Sequence, residues 1–408
     1  MSMISRRSVI AASALSATIA TEAFAQEQAG TPQPIAGKRG ATDLGPHDPI
    51  RDGENPDVLT PPLTDKGKLP NLKWSFADSH NRLSDGGWAR ETTVRELPIS
   101  TAMAGVNMRL DSGAVRELHW HKDAEWAYVL EGRCRITTVD QEGRNFVADL
   151  GKGDLWYFAS GMPHSIQGLE PVGTEFLLVF PNGAFSEDST FLITDWFMRT
   201  PKEVLSKDLG VPVEALNGIP KQELYIFRPP LPPPLQQDAV PSPKGVVLSD
   251  LTFGMLAMEP TMRTKSGTVR IVDSKNFPIS VEIAAALVEV EPGGMRELHW
   301  HPNSDEWQYY IEGEGRMTVF ASGQNARTFD YRAGDVGYVP VSMGHYIENT
   351  GKTTLRFLEC FKSNHYEDIS LKQWMALTPH ELITAHLKLD EAALAKLPKD
   401  RAPVTGLG

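Results

Sequence analysis

Two stretches of this chain hold histidines and a carboxylate at the spacing of a metal site. Residues 116 to 126 read R-E-L-H-W-H-K-D-A-E-W, and residues 296 to 307 read R-E-L-H-W-H-P-N-S-D-E-W, 180 positions later. A further histidine follows each block, His164 and His345, so six of the eleven histidines belong to these two sets. On a strand, alternate residues share a face: His119 and His121 point one way and Trp120 the other, as do His299 and His301 around Trp300. Glu125 and Glu306 follow within a turn, and His164 and His345 come from a later strand after Gly153-Asp154 and Gly334-Asp335. Three imidazoles and one carboxylate can hold a divalent ion and leave two positions of an octahedron open. A lone histidine is usually a hydrogen-bonded core or surface residue. Two full sets in register, each closed by a glycine (Gly132, Gly313), argue instead for two metal centres.

The elements that must carry these residues are short strands. Apolar or alternating runs at Trp126 to Leu130, Arg135 to Val139, Leu155 to Ala159 and Phe176 to Val179 are separated by Gly and Asp turn signals, with counterparts around Tyr309, Thr318, Gly337 and Phe357. Regular spacing of this kind predicts an all-β fold, an antiparallel sandwich or barrel in each half. After each barrel, Thr200-Pro201-Lys202-Glu203 and Thr378-Pro379-His380-Glu381 predict a short helix with Thr as N-cap and Pro at the first helical position.

With 408 residues and a repeat of 180, the chain accommodates two domains that each bury a core. Residues 71–235 and 236–408 are assigned to them, divided at Arg228-Pro229-Pro230-Leu231-Pro232-Pro233-Pro234, which reads as a stiff linker. Residues 26–70, rich in Gly, Pro, Asp and Thr, read as an extended arm. Ser5-Arg6-Arg7-Ser8, a small-residue apolar run to Ala20 and Ala23-Phe24-Ala25 read as a twin-arginine signal over 1–25, predicting export to the periplasm or beyond. That apolar run is too short for a membrane span. The balance of 40 basic against 52 acidic residues, net charge -12, argues against nucleic acid or an anionic membrane as partner, and an anionic substrate would need local positive charge. The two cysteines, Cys134 and Cys360, lie at unmatched positions in apolar contexts and read as buried thiols rather than a disulfide.

His and carboxylate ligands suit Mn, Fe, Ni or Zn and do not name the ion. Export in the folded state would let manganese be loaded in the cytoplasm before the site meets competing copper or zinc. The spacing G-x5-H-x-H-x3,4-E-x6-G, met by Gly113 to Gly132 and Gly293 to Gly313, is similar to the cupin motif. Ala159, Ser342 and Gly168 depart from its second part, and none is a ligand. From Trp74 to the helix after Thr378, including Q-W-M-A-L-T-P at 373 to 379, the chain resembles the bicupin oxalate decarboxylases. That resemblance implies two tandem cupin (double-stranded β-helix, jelly-roll) barrels, two Mn²⁺ per chain, dioxygen as catalytic co-substrate, oxalate as substrate and a trimer or hexamer of chains.

Arg116 and Arg296 stand three residues before the first ligand histidine, an odd separation that points an ideal strand residue outward. Periodicity leaves them as surface arginines unless a bulge turns them in; the resemblance implies that they bind substrate. By its local sequence Glu187, in Phe185-Ser186-Glu187-Asp188-Ser189-Thr190, is a solvated loop acid or part of a helix cap opened by Ser186. The resemblance makes that segment a lid and Glu187 the proton donor. The second half is reorganised and shorter at 365 to 370, but it carries Glu359 on a strand where the first has Leu178, either a second acid or a structural hydrogen-bonding residue. Breaking the carbon-carbon bond of oxalate to give formate requires a proton at carbon, which Glu187 would supply. In the mechanism the resemblance implies, manganese and dioxygen take an electron, carbon dioxide leaves and the electron returns as the proton arrives. Rival functions are an oxalate oxidase releasing carbon dioxide and peroxide, a cupin acting on another small carbonyl or carboxylate compound such as a dioxygenase, and a bicupin storage or binding protein.

Overall fold

The structure of this protein is a computed structural model that describes residues 48–59 and 61–406. The signal at 1–25 and the arm from 26 to 47 lie outside the described residues. Each half forms a barrel of antiparallel strands. In the second half, the ladder Lys73–Ser75, Asp335–Val339, Glu306–Glu312, Leu355–Phe361, Ala284–Val290, Gly267–Val272 and Met262–Thr264 faces a sheet built on Glu314–Ala321, Gly344–Asn349 and Gly294–Trp300. The first half repeats this plan, but one long strand, Glu125–Val139, runs through both faces of its barrel. Alternation of apolar and polar residues fills each interior: Val106, Ile136, Trp156, Ile166 and Phe176 in the first, Val288, Met317, Phe329, Ile347 and Phe357 in the second.

The barrels pack against one another through a third buried cluster that includes Trp126, Tyr128 and Tyr157 from one and Trp307, Tyr309 and Tyr338 from the other. Contact is close at Gly105, where a Cβ would lie 2.4 Å from the Trp307 ring. The halves also exchange strands. Lys73–Ser75, which precedes the first barrel, pairs with Asp335–Val339 of the second, and Thr252–Gly254, which precedes the second, pairs with Asp154–Phe158 of the first. Each exchanged strand covers an open edge of the other half.

Three expectations change. The described part of the arm is not extended: Asp48 caps the helix Pro49–Glu54, and a second short helix, Pro56–Leu59, follows. It lies on the second barrel, where the Asp65 carboxylate accepts from the Thr328 N–H at 2.8 Å. Thr200 and Thr378 are not N-caps. Unforeseen helices Ile193–Arg199 and Leu371–Ala376 precede them, and both hydroxyls donate back to carbonyls of those helices, Trp196 and Trp374, at 2.8 Å. Pro201 and Pro379 take the N-cap place, because a proline has no N–H to leave unsatisfied there. The proline-rich linker is also anchored, since Arg135 donates to the Pro233 carbonyl at 2.8 Å and pairs with Asp238 at 2.7 Å.

Candidate active site and metal centres

All eight expected ligands converge. His119, His121, Glu125 and His164 form one buried group, and His299, His301, Glu306 and His345 another, with the ligand atoms of each within 4.8 Å of one another. The strand Val115–Trp120 delivers His119 and leads directly into His121, and the strand His164–Gly168 brings His164 opposite His119. The second half repeats this with Gly294–Trp300 and a His299–His345 pair.

Every ligand imidazole is oriented by a backbone carbonyl. The Nδ1–H groups of His119, His121 and His164 donate to Glu117, Asp123 and Met162 at 2.6, 2.6 and 2.8 Å. Those of His299, His301 and His345 donate to Glu297, Glu367 and Met343 at 2.7, 2.6 and 3.1 Å. A carbonyl only accepts, so Nδ1 carries the proton and Nε2 presents a lone pair to the centre. Those lone pairs face a carboxylate: His345 Nε2 lies 2.8 Å and His301 Nε2 3.3 Å from Glu306, and His121 Nε2 lies 3.1 Å from Glu125. Acceptors turned on acceptors call for a cation between them. The Nε2 atoms of His164, His299, His301 and His345 are buried without a hydrogen-bond partner, as a metal-ligand role requires.

Electrostatics agree for the first histidine of each set; at His121 burial lowers the imidazole, but the Glu125 carboxylate beside it prevails and raises it. Burial, then the adjacent guanidinium of Arg116 or Arg296, hold His119 and His299 well below the ordinary imidazole range, in the neutral form that binds a metal. Burial raises the Glu125 and Glu306 carboxyls, but positive charge at the facing imidazole edges, the place a cation would take, prevails and holds both below the usual carboxylate range.

Both arginines point inward, against strand parity. Register shifts by one residue between Arg116 and His119, and again between Arg296 and His299, so each strand carries a bulge at this point. Arg116 and Arg296 are 1% and 0% exposed, which makes them site residues rather than surface ones. Arg116 donates to Glu187 Oε2 at 2.9 Å and lies 4.2 Å from the centre of the Tyr225 ring. Its Nε and Nη1 have no partner. Arg296 is fully engaged: Nε meets Glu359 at 3.2 Å, Nη1 the Pro403 carbonyl at 3.4 Å, and Nη2 both Tyr366 and Asp368 at 2.7 and 2.6 Å.

Glu187 opens a short 3₁₀ turn, Glu187–Ser189, with Ser186 at its N-cap. The capping expected of Ser186 is present, and Glu187 is nevertheless buried, with Oε2 accepting from the Tyr225 hydroxyl at 3.1 Å as well as from Arg116. Glu359 is wholly buried; one oxygen meets Arg296 and the other has no partner. Burial raises its carboxyl above the ordinary range.

Several functional neighbours escape sequence reasoning. Glu117 clamps two segments to its own strand, accepting from Thr194 through Oε1 and from the Leu224 and Tyr225 N–H groups at 2.8 and 2.6 Å through Oε2. That clamp holds Tyr225 at φ 53°, a left-handed backbone, with its hydroxyl on Glu187. The repeated Glu in both R-E-L-H-W-H blocks was its one available signal. In the second half, Asp368 takes the place of Glu187 on the arginine and is itself paired with Arg401. Matching the strands Phe191–Leu192 and Ile369–Ser370, which both pair beside the first ligand histidine, would have exposed that equivalence.

Comparison with known proteins agrees with this geometry. The Cupin family model matches residues 75–216 and 253–394. Oxalate decarboxylase OxdC of Bacillus subtilis is 56% identical over 93% of this chain and 98% of its own length. This chain belongs to the bicupin oxalate decarboxylase family. A probable oxalate decarboxylase of Arthroderma benhamiae is 40% identical over 94% of this chain and 96% of its own. A solved structure concerned with the Mn(II) centres of the Bacillus subtilis oxalate decarboxylase superposes with a TM-score of 0.90, at 56% identity, over 93% of this chain and all of that one. The two tandem cupin barrels are thus a feature of the family.

Proposed function

We propose that this protein is a manganese-dependent oxalate decarboxylase that converts oxalate and a proton to formate and carbon dioxide, with its catalytic centre in the first barrel. One observation carries the choice of centre: beside the first ligand set, the buried Arg116 has two donor nitrogens without partners. Manganese held by His119, His121, Glu125 and His164 would bind a substrate carboxylate at its open positions and, with dioxygen as catalytic co-substrate, supply one-electron chemistry.

The chain's own residues account for the rest. Unpaired Nε–H and Nη1–H of Arg116 suit the second carboxylate of a dianion, which a protein of net charge -12 must neutralise locally. Substrate at Arg116 also competes for the Nη2–H that now holds Glu187, leaving that carboxyl on the Tyr225 hydroxyl and free to turn to the substrate. As the carbon-carbon bond breaks, Glu187 delivers a proton to the carbon that keeps its carboxylate, and a carbon-hydrogen bond forms. Phe180 and Phe185, stacked with ring centres 3.5 Å apart against His121, keep water from that side.

Arg296 and Glu359 would serve the second ion, and their mutual pairing favours a mainly structural role for that centre. Export by the twin-arginine route is part of this proposal and rests on residues 5–25. Assembly into trimers or hexamers is supported by the exposed Trp196, Trp374 and Leu377 on the helices after each barrel. Among the described residues no helix is long and apolar enough to cross a membrane.

Manganese-loaded protein given oxalate tests the reading, with formate and peroxide followed together. Formate without matching peroxide is expected, whereas peroxide as the main product would make the protein an oxidase. Glu187→Ala should lower formate production by about 10²–10⁴-fold with two ions per chain retained. Turnover persisting in that variant would move proton delivery elsewhere.

A further inference from the structure

The side chain of Glu187 is placed by contacts already described, but its backbone is placed by another residue. The Glu187 N–H donates to Glu91 Oε1 at 3.0 Å, across 96 positions of sequence. Glu91 lies on the strand Gly87–Thr92 of the first barrel, and its other oxygen accepts from Arg95 at 2.8 Å. The N–H at the start of a 3₁₀ turn has no partner within that turn, so this side chain satisfies a donor that would otherwise be lost on burial. The neighbouring Ser186 hydroxyl accepts from the Asp188 N–H instead.

Position 91 distinguishes the two halves. The strand Gly267–Val272 repeats Gly87–Thr92 with the same pairing, and Ile271 stands where the first half has Glu91. The second half has no 3₁₀ turn at this place and needs no such acceptor; its Asp368 is held through side chains, by Tyr366 and Arg401. The carboxylate at 91 and the turn carrying Glu187 therefore occur together in one half and are both missing from the other. The contact also has a cost, because two carboxylates share a neighbourhood with only Arg95 paired to Glu91. An acid kept there against that repulsion has a purpose beyond filling space. On its open side lies a cavity of about 330 Å³ bordered by His80, Arg82, Arg90, Arg95 and Asp188.

We propose that Glu91 is a positioning residue for the first site: by accepting the Glu187 N–H it fixes the turn that aims the Glu187 carboxyl at the reacting centre. This rests on the reading of Glu187 as proton donor, and it adds a residue that touches neither ion nor substrate. Glu91 acts through the acceptor oxygen and its reach, not through charge. Glutamine keeps the oxygen and the length and loses the charge; aspartate keeps the charge and falls one methylene short.

Holoenzyme carrying Glu91→Gln or Glu91→Asp is compared with the parent by amide hydrogen exchange over residues 185–191 and by steady-state kinetics with oxalate. In E91D, exchange in that segment should quicken by about tenfold, the worth of one hydrogen bond, and kcat should fall by a similar factor with KM within about twofold. E91Q should stay within about threefold of the parent in both. Exchange over 185–191 unchanged in E91D, or E91Q as impaired as E91D, would overturn the proposal. The exchange readout does not depend on what Glu187 does chemically. Faster exchange in E91D together with formate production surviving Glu187→Ala would therefore uphold the latch and refute the proton-donor reading instead.

Discussion

Arg116 and Arg296 occupy the same place in two copies of one barrel, and only Arg116 has hydrogen-bond donors to spare. Around Arg296 the chain itself supplies two carboxylates, Glu359 and Asp368, with Arg401 beyond them. Around Arg116 it supplies one, Glu187, on a turn. The difference extends into the barrel wall. Ala127 pairs across the ladder with Trp156 and with Leu178; the matching trio is Gln308, Gly337 and Glu359. Bulk has changed sides: the Trp156 indole donates to Glu125 at 2.7 Å in one half, and Gln308 donates to Glu306 at 2.8 Å in the other. Gly337 is what lets Gln308 fit, since a Cβ there would lie 2.4 Å from its side-chain oxygen. Both solutions orient the ligand carboxylate, but the second surrounds Arg296 with a polar interior whose carboxylates already occupy its donors. Both ligand sets are thus kept in the two halves, while the side chains around them differ; on the proposed function, that difference frees the second site from holding substrate.

Removing each arginine in turn should give the largest effects. Arg116→Ala should lower kcat/KM for oxalate by about 10²-fold or more, because the charged hydrogen bonds to the substrate are lost. Arg296→Ala should act mainly on stability, measured as a drop in Tm, because Glu359 and Asp368 are left as buried charges with one partner fewer. Equal losses of kcat/KM in the two variants would mean that both sites turn over.

A smaller effect tests the asymmetry at Glu91 and Ile271. Burial, then the charge of Glu187, raise the Glu91 carboxyl from its ordinary 4.5 to about 7, against the pull of Arg95 and with Asp188 adding to the rise. Its folded pKa exceeds its unfolded one, so the folded state binds the extra proton. The penalty for ionising it is absent below about pH 4.5 and grows as pH rises to about 7. Glu91→Gln should flatten that part of the Tm-against-pH curve by roughly 1–3 °C; an unchanged curve would remove this group from the balance.

The smallest test concerns Gly161 and Ser342, which hold the same left-handed turn at φ 78° and 65°. Serine pays there for its Cβ, so Ser342→Gly should stabilise the protein by about 1 kcal/mol or less, after the entropy that glycine adds to the unfolded chain. A loss of stability by chemical denaturation would show that Ser342 has a use the turn geometry does not reveal.

What could be read directly from the sequence follows local rules. The eight ligands were legible because a strand's period of two puts His119 with His121 and His299 with His301, and because the pattern occurs twice. The strands themselves were legible from alternation between turn signals. The short helices Ile193–Arg199 and Leu371–Ala376 were not, because the Thr-Pro pairs after them signal a chain break that suits the end of one helix as well as the start of the next. Arg116 and Arg296 could not be placed by period, since a bulge of one residue reverses the face and leaves no mark in composition.

Ligand spacing and strand periodicity are properties of neighbours along the chain, and they were enough to reveal two metal-binding barrels. The unequal surroundings also showed in the sequence, with Glu187 in one half and Glu359 in the other, but how they are held came from the fold: Glu91 reaches Glu187, Tyr225 turns its hydroxyl onto the same acid, and Arg401 engages Asp368 across 33 to 96 positions. Those contacts depend on where the chain returns in space, and on whether a buried donor is left free when it does.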